Sequence, residues 1–547
     1  MRLCSLTIGS SALGPAQQFK NLKNVTIDFD ERHWVTVLIG WNGTGKSNVL
    51  EALAIIFRDL IERSAPTFAY KLEYRIADHT INIDANPERA ASPYSIFVRP
   101  GYSAPSPSSR PKAISFRKFV RRTELLPLYV FAYYSGENER LSAVFRDYKE
   151  RYDRQLTAGD EPGLRRLFYA RPYHSPFVLL SFMLQDDEVV SALLRDHLDL
   201  NTQEGIDSVL VVMREPERGA SDGTGDPRFW GAKGIVAEFL AKLYDVSLAP
   251  LRMTRQERSL SGKRVRREVL YLFVKDMSAL KQLLSGTTAR RLFRDLESAY
   301  SAGLIEEVRI RVKLRSADGA VLFHELSEGE QQLLTVLGLL RLTAENESLF
   351  LLDEPDTHLN PRWSVDYLHL LGEIGDVTPG GDATNHVVLT THNPLAIAEL
   401  AKEQVQVLRR VDTQVVASHP ELDPRGQGFT SIVTSDMFGI ASSLDRCTQR
   451  LLEEQRFYAG KENLTRKELR RLDVINSELD QLGFRAAHVD DEFSRYLRLR
   501  TKLLQERFGI DSGSAAAEQG AGMTREERES LAEELVAQII REDATTT

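Results

Sequence analysis

The sequence predicts an α/β fold with a mixed insertion and a helical C-terminal region, and three apolar runs carry this prediction. The first run, 35–39, is rich in β-branched residues and precedes a glycine-rich loop and a helix-spaced apolar stripe. The second and third runs, 349–352 and 387–390, also read as buried strands, and a helical pattern near 363–374 separates them. Strands that alternate with helices in this way are typical of α/β proteins.

Composition and periodicity divide the chain into five predicted regions. A first lobe carries the glycine-rich loop, an insertion mixes strands with helices, and a second lobe holds the other two buried strands. Then come a helical hairpin, striped by residues such as Leu469 and Phe493, and a small-residue linker leading to a terminal helix that could dock a partner. The predicted bounds are 1–62, 63–319, 320–430, 431–510 and 511–547.

Within the insertion, the sequence predicts a helical region that extends to about Ser208. Alternating apolar residues predict strands at 264–273 and 308–315, and an Asp-Gly pair after the second strand predicts a hairpin turn. The insertion is therefore expected to contain a sheet of its own.

The bulk composition is that of a globular protein without a generally basic surface. The 547 residues are 42% hydrophobic and 27% charged, with a formal net charge of −8. The two cysteines, Cys4 and Cys447, lie far apart, which favours neither a disulfide framework nor a zinc site. No leader sequence is apparent, and no apolar run reaches the roughly 18–20 residues that span a bilayer. We therefore expect a cytoplasmic protein without membrane contact.

Residues 40–47, Gly-Trp-Asn-Gly-Thr-Gly-Lys-Ser, have the spacing of a phosphate-binding loop (P-loop) between a buried strand and a helix. The backbone N–H groups of such a loop close around the β-phosphate of a nucleoside triphosphate. Lys46 would place a cation on the β- and γ-phosphates, and the Ser47 hydroxyl would bind Mg²⁺. The predicted nucleotide-binding residues are Asn42, Gly43, Thr44, Gly45, Lys46, Ser47 and Asn48.

Two acidic residues follow the second buried strand. Asp353 would lie near the Mg²⁺ at the end of this strand, and Glu354 would be the general base that orients the attacking water. An apolar run followed by Asp-Glu is common by itself, but downstream of a phosphate-binding loop it becomes specific. The predicted metal ligands are Ser47 and Asp353.

The stretch 326–331, Leu-Ser-Glu-Gly-Glu-Gln, resembles the signature of the ATP-binding-cassette (ABC) family, whose heads are P-loop ATPases. In that family the serine and glycine, at the N-terminus of a helix, bind the γ-phosphate held by the opposite subunit. Free N–H groups and the positive end of the helix dipole suit that role. The resemblance implies that Ser327, Gly329, Glu330 and Gln331 complete the ATP site of a second copy. A homodimer or higher homo-oligomer would then form through the ATP sites.

His392 follows the third buried strand, in Thr-Thr-His-Asn-Pro at 390–394. A lone histidine after a strand is usually structural or simply exposed. In the ABC family a histidine at this place contacts the γ-phosphate and senses its loss. The resemblance therefore implies a catalytic role for His392 beside Glu354, with ATP and Mg²⁺ as the cofactors.

Variants of these motifs narrow the resemblance to the branch that holds SMC, RecF and OLD-type ATPases. They are the Ser-Asn-x-Leu-Glu-Ala continuation of the phosphate-binding loop and the Asp-Glu-Pro-Asp-x-His-Leu-x-Pro run at 353–361. The sequence contains neither a long coiled-coil pattern nor the acidic C-terminal stretch of a TOPRIM nuclease. The chain thus resembles the stand-alone ATPases of Septu-type and retron-associated antiphage systems, which pair with an HNH nuclease. This implies slow, regulatory ATP hydrolysis, a nuclease partner, and no nuclease activity in the chain itself.

Several alternatives stay open. The chain could be a RecF-like DNA-repair ATPase that clamps DNA directly, or, with less support from its motifs, a transporter subunit. Basic residues at 263–267 and at alternate positions of 309–315 could contact nucleic-acid phosphates, or could be solvated strand faces. The segment 134–140 lies where the family places its glutamine loop. An acidic cluster at 488–492 indicates a helix start more than a metal site.

Overall fold

The computed structural model describes residues 1–482 except 13, 102–110, 186, 203–204, 217–224, 259–263, 284–285, 318, 344–346, 375–384, 413, 441 and 460–463. The chain divides into two compact units, Met1–Ala441 and Ser442–Thr547. The second helix of the predicted hairpin, the linker and the terminal helix lie outside the described residues. All predicted site residues belong to the first unit.

The described residues form strands and helices that alternate along much of the chain. The strands are β1 (Arg2–Ile8), β2 (Val25–Asp28), β3 (Val35–Gly40), β4 (Tyr70–Ile76), β5 (His79–Ala85), β6 (Tyr94–Pro100), β7 (Lys112–Ile114), β8 (Val130–Tyr134), β9 (Leu167–Tyr169), β10 (Ile206–Arg214), β11 (Leu251–Arg258), β12 (Arg264–Val274), β13 (Ile305–Lys313), β14 (Ala320–Leu322), β15 (Leu349–Asp353), β16 (His386–Thr390), β17 (Val405–Val411) and β18 (Gln414–Ser418). The helices are α1 (Lys46–Glu62), α2 (Phe116–Phe119), α3 (Arg140–Val144), α4 (Arg146–Ala158), α5 (His174–Phe182), α6 (Glu188–Asp196), α7 (Gly234–Val246), α8 (Met277–Leu283), α9 (Ala289–Ser301), α10 (Glu328–Thr343), α11 (Pro361–Ile374), α12 (Phe429–Thr434), α13 (Arg446–Ala459) and α14 (Arg466–Gln481).

A seven-stranded sheet with the order β18-β17-β3-β16-β15-β8-β9 forms the centre of the first unit. Its neighbouring strands are parallel, except that β17 and β18 are antiparallel. The three predicted buried strands therefore lie side by side as β3, β16 and β15, and the predicted α/β fold is confirmed. At their carboxyl ends Asp353 on β15 lies in register with Thr390 on β16 and with Tyr134 on β8.

A separate apolar core covers each face of this central sheet. On one face, Leu38, Leu351 and Val388 pack with the apolar stripe of α1 and with the antiparallel sheet β2-β1-β4-β5-β6-β7. On the other face, Ile39 and Phe350 pack with apolar residues of α5, α10 and α11. Burial of this much apolar surface fixes the strands and the starts of α1 and α10 relative to one another. The site residues carried by these elements are thereby fixed too.

An antiparallel sheet has the order β11-β12-β10-β13-β14, with β10 to β13 in the predicted insertion and β14 directly after it. β12 and β13 are the strands predicted at 264–273 and 308–315, and β13 pairs with β14 as in the expected hairpin. The expected helical region up to Ser208 is wrong at two places, because β9 lies within it and β10 begins at its end. The β10 residues Ile206, Val209, Val211, Val212 and Met213 are buried. Periodicity alone cannot distinguish a short apolar run of this kind from a buried helix.

Helices α13 and α14 are the described part of the second unit. Leu451 on α13 packs with Ile475 and Leu479 on α14, and Arg471 donates from Nε and Nη2 to the Glu454 carboxylate at 2.9 and 2.7 Å. The stripe predicted for the first hairpin helix is therefore α14. Helix α13 precedes it within the region 431–510 that the sequence predicts to be helical.

Candidate nucleotide-binding site

The phosphate-binding loop connects β3 to α1 with a backbone shape that requires its glycines. Gly43 and Gly45 have φ angles of +82° and +100°, in the left-handed region that glycine adopts at no steric cost. Gly40 has a φ of +146°, and an added Cβ there would lie 2.3 Å from the Leu408 carbonyl oxygen. Asn42 is exposed at the tip of the loop.

Lys46 is the first residue of α1, and its side chain turns back into the loop. Its Nζ donates to the Gly40 carbonyl at 2.9 Å, and the residue is only 5% exposed. Burial lowers the pKa of Lys46, whereas the nearby Glu354 and Asp353 carboxylates oppose that change. A desolvated ammonium bonded to a neutral carbonyl has a better partner in a phosphate oxygen. The placement therefore fits the role predicted for Lys46.

Polar side chains tie the other loop residues in place. The Thr44 Oγ1 donates to the Trp41 carbonyl at 2.8 Å. Asn48 Nδ2 donates to Asn21 Oδ1 at 2.6 Å, and Asn21 Nδ2 donates to the Gly43 carbonyl at 3.0 Å. Asn21 thus bridges the loop to the first turn of α1. No motif in the sequence points to Asn21, because it lies well upstream of the phosphate-binding loop.

Ser47 and Asp353 lie together although 306 residues separate them, since the Ser47 hydroxyl donates to Asp353 Oδ1 at 3.0 Å. The Thr390 hydroxyl donates to the same oxygen at 2.6 Å. Burial raises the pKa of Asp353, and these two hydrogen bonds oppose the shift. A buried carboxylate beside a hydroxyl is a donor set that suits Mg²⁺, which prefers oxygen ligands. Ser47 and Asp353 would hold the ion, and Thr390 would orient the carboxylate.

Glu354 and His392 face each other at the carboxyl ends of β15 and β16. His392 Nε2 lies 2.9 Å from Glu354 Oε1, and both side chains are partly exposed. The hydrogen bond from His392 is the main cause of the lowered pKa of Glu354. Glu354 has a φ of +52°, which is uncommon for a residue other than glycine. Its N–H donates to the Thr390 carbonyl at 3.1 Å, which holds this unusual backbone.

The signature stretch is local in its hydrogen bonds. Ser327 and Glu330 form a capping box, in which Ser327 N and Oγ each donate to Glu330 Oε2 at 2.7 Å. Gln331 Nε2 donates to the Leu326 carbonyl at 2.8 Å. Ser327 is exposed and Gly329 is buried. The Ser327 hydroxyl, which the resemblance predicts to bind a γ-phosphate, therefore donates to the Glu330 carboxylate in this structure.

The start of α10 packs tightly against the residues that follow Glu354. A Cβ added to Gly329 would lie 2.4 Å from the His358 carbonyl oxygen. Gln332 Nε2 donates to the Pro355 carbonyl at 2.6 Å in a buried contact, and His358 Nδ1 lies 3.7 Å from the exposed carboxylate of Glu328. The signature helix and the segment after the candidate base therefore form one packed unit.

A second buried link joins the ends of β15 and β16. Thr391 Oγ1 donates to Asp356 Oδ2 at 2.7 Å, and Asn393 N donates to Thr391 Oγ1 at 2.9 Å. Burial raises the pKa of Asp356. The Asp356 carboxylate therefore stabilises the turn that carries His392.

The family matches fall on the two parts of the chain that build this site. Residues 16–93 match a family described as "AAA ATPase domain", and residues 285–398 match one described as "AAA domain, putative AbiEii toxin, Type IV TA system". The chain is 22% identical to the Septu protein PtuA of Bacillus mycoides (strain KBAB4) over 232 residues, or 40% of this chain. These matches support an ATPase of the AAA/ABC type that is related to the Septu protein PtuA. The chain spans 30% of the length of PtuA.

Solved structures of SMC heads are among those similar to the chain. The SMC head domain from Thermotoga maritima is 13% identical, covers 77% of this chain and 100% of its own, and has a TM-score of 0.30. An SMC head from Pyrococcus furiosus, bound to the C-terminal domain of ScpA, is 14% identical with a TM-score of 0.30, covering 76% and 96%.

The basic residues at 263–267 and 309–315 lie on β12 and at β13, respectively, apart from Lys263. In the 309–315 row, Arg309 donates to Glu307 at 2.7 Å and Arg311 lies 3.7 Å from Asp207. Both guanidinium groups therefore have a carboxylate neighbour on the same sheet. Lys263 of the other row and the acidic cluster at 488–492 lie outside the described residues. No helix of the described residues is long and apolar enough to cross a bilayer.

Proposed function

We propose that the chain hydrolyses ATP with Mg²⁺ at a site shared by two copies, and that its ATP state regulates an associated nuclease in antiphage defence. The observation that carries the proposal is the contact of Ser47 with Asp353 at 3.0 Å, with Glu354 and His392 beside it. Groups suited to bind a triphosphate and to activate water converge at one edge of the central sheet. Such convergence is what phosphoryl transfer to water requires.

Each residue would act from the position it already has. The loop backbone and Lys46 would hold the phosphates, and Mg²⁺ bound to Ser47 and Asp353 would neutralise charge on them. Glu354, whose carboxylate is ionised at neutral pH, would take a proton from the attacking water. His392 would orient Glu354 and contact the γ-phosphate.

The second copy would supply the exposed Ser327 and the backbone N–H groups at the start of α10. For this contact Ser327 would exchange Glu330 for a phosphate oxygen, an anion that the helix N-terminus also favours. ATP would therefore hold two copies together, and hydrolysis would release them. The start of α10 packs on the residues after Glu354. Binding of one copy's signature to its neighbour's nucleotide would therefore be transmitted to the Glu354 of that same copy.

The change Glu354→Gln tests the hydrolytic role. We expect kcat to fall by about 10²-fold or more, because the general base is lost, while ATP affinity changes little. Glu373→Gln is a matched control, since Glu373 also lies beside a histidine, with Oε2 3.6 Å from His369 Nδ1, away from the site. Unchanged turnover in Glu354→Gln would contradict the assignment of the base.

The regulatory role is supported by the similarity to the Septu protein PtuA and is tested by capturing partners. When the tagged chain is purified from its native host, a nuclease should co-purify with it. The mass of the intact complex, measured by native mass spectrometry, should give a fixed stoichiometry of the two proteins. If no nuclease co-purified with the chain, and the chain alone bound DNA tightly in the presence of ATP, this role would be contradicted. That result would favour the DNA-repair alternative.

A further inference from the structure

The segment that joins β8 to α3 lies beside the candidate nucleotide-binding site. Tyr134 ends β8 in register with Asp353, and Ser135 N donates to the Asp353 carbonyl at 3.3 Å. This is the segment that the sequence reading places at the family's glutamine loop, yet residues 135–140 contain no glutamine. The side chain that reaches from this segment to the nucleotide-binding residues is Arg140.

The fold fixes Arg140 over the first turn of α1. Arg140 is the first residue of α3, and its N–H donates to Asn138 Oδ1 at 2.9 Å. Leu141 and Val144, which follow on α3, are buried in the same apolar core as Val49 of α1. The backbone of Arg140 is therefore anchored, while its exposed side chain keeps rotational freedom.

The guanidinium of Arg140 contacts the residue next to the predicted Mg²⁺ ligand. Its Nη1 donates to Asn48 Oδ1 at 3.2 Å, and Asn48 follows Ser47 directly. Asn48 is in turn bonded to Asn21, which holds the Gly43 carbonyl. A neutral amide oxygen is a weaker partner for a guanidinium than a phosphate is. The bond can therefore be exchanged for a better one.

The charges of the site favour a second cationic side chain besides Lys46. Asp353 and Glu354 are acidic, and Lys46 is the cation within the phosphate-binding loop. A bound triphosphate would add several negative charges next to these two carboxylates. A planar guanidinium that can bond two oxygens at once suits the terminal phosphate.

We propose that Arg140 is a catalytic residue that leaves Asn48 and binds the γ-phosphate of ATP when the triphosphate is present. The inference rests on the proposed ATP hydrolysis and adds a residue to the same site. Because ADP lacks the γ-phosphate, Arg140 would distinguish the two nucleotides. In the transition state its charge would stabilise the oxygens of the transferred group.

The test measures ATP affinity, ADP affinity and kcat for the full chain with Arg140→Gln and Arg140→Lys. Arg140→Gln should lower kcat and the preference for ATP over ADP by about tenfold or more. Arg140→Lys, which keeps the charge, should lose less. Arg146→Gln is the matched control, because Arg146 is exposed on the next helix and lies 3.4 Å from Glu139.

Three results would overturn the inference. An Arg140→Gln protein with kcat and nucleotide preference within about twofold of the control would remove the residue from the reaction. If Asn48→Ala abolished the effect of Arg140→Gln, the arginine would act only by orienting Asn48. If the unaltered chain bound neither nucleotide, the proposed function would fail as well, which distinguishes that case from the other two.

Discussion

Gly329→Ala tests the packing between the signature helix and the segment after Glu354. The new Cβ would lie 2.4 Å from the His358 carbonyl oxygen, so α10 or that segment must move by about 1 Å to restore an ordinary contact. Overpacking of this kind costs about 1–3 kcal/mol, and alanine recovers about 1 kcal/mol in helix propensity. The net loss of stability is therefore about 0–2 kcal/mol, which the chain should tolerate.

The larger effect of Gly329→Ala should appear in turnover. A displacement of about 1 Å between catalytic groups can cost about 10²-fold in rate, so we expect kcat to fall about 10- to 100-fold. Nucleotide affinity at the phosphate-binding loop should change little. Steady-state kcat and a nucleotide titration measure both quantities. Gly428→Ala is the control, because a Cβ there meets nothing within 4 Å. Equal kcat values for the two variants would refute the packing argument.

Three further substitutions probe the hydrogen bonds of the site. His392→Ala removes the main cause of the lowered pKa of Glu354, so the acid limb of the kcat–pH profile should move to higher pH. An unmoved limb would mean that Glu354 does not titrate in it. Thr390→Val removes the hydroxyl that donates to Asp353 Oδ1. The free energy of unfolding, measured by denaturant titration, should fall by about 1–3 kcal/mol, and the affinity for Mg²⁺ should fall too. An unchanged denaturation midpoint would contradict this expectation. Gln332→Met removes the bond to the Pro355 carbonyl and should lower kcat several-fold without loss of ATP affinity, whereas equal loss of both would indicate a general folding defect.

The sequence predicts those parts of the site that are contiguous in the chain. The phosphate-binding loop, the Asp-Glu pair and the signature each specify their chemistry within a few residues. The capping box of Ser327 with Glu330 also has a sequence signal, the Ser-x-x-Glu spacing. That signal could have shown that Glu330 serves its own helix.

Contacts that depend on strand order could not be read from the sequence. Thr390 reaches Asp353 because β16 lies beside β15 in a fixed register, and no local pattern specifies that pairing. Arg140 meets Asn48 because α3 and α1 share a core. By contrast, His392 can be picked out from the sequence because a histidine after a buried strand is a candidate for catalysis. The hydroxyl of Thr390 and the exposed side chain of Arg140 give no such signal. Buried strands such as β10 are missed for a different reason, since a short apolar run fits either period.

Mixing two inactive variants tests the shared ATP site most directly. Ser327→Arg disables the signature, and Lys46→Ala disables the phosphate-binding loop, so each protein alone should be inactive. In a mixed dimer the intact loop of one copy meets the intact signature of the other. With free exchange of subunits, about half of the dimers are mixed and one of their two sites is whole. Mixing should therefore restore about a quarter of the unaltered ATP turnover. No recovery after verified subunit exchange would contradict the shared ATP site.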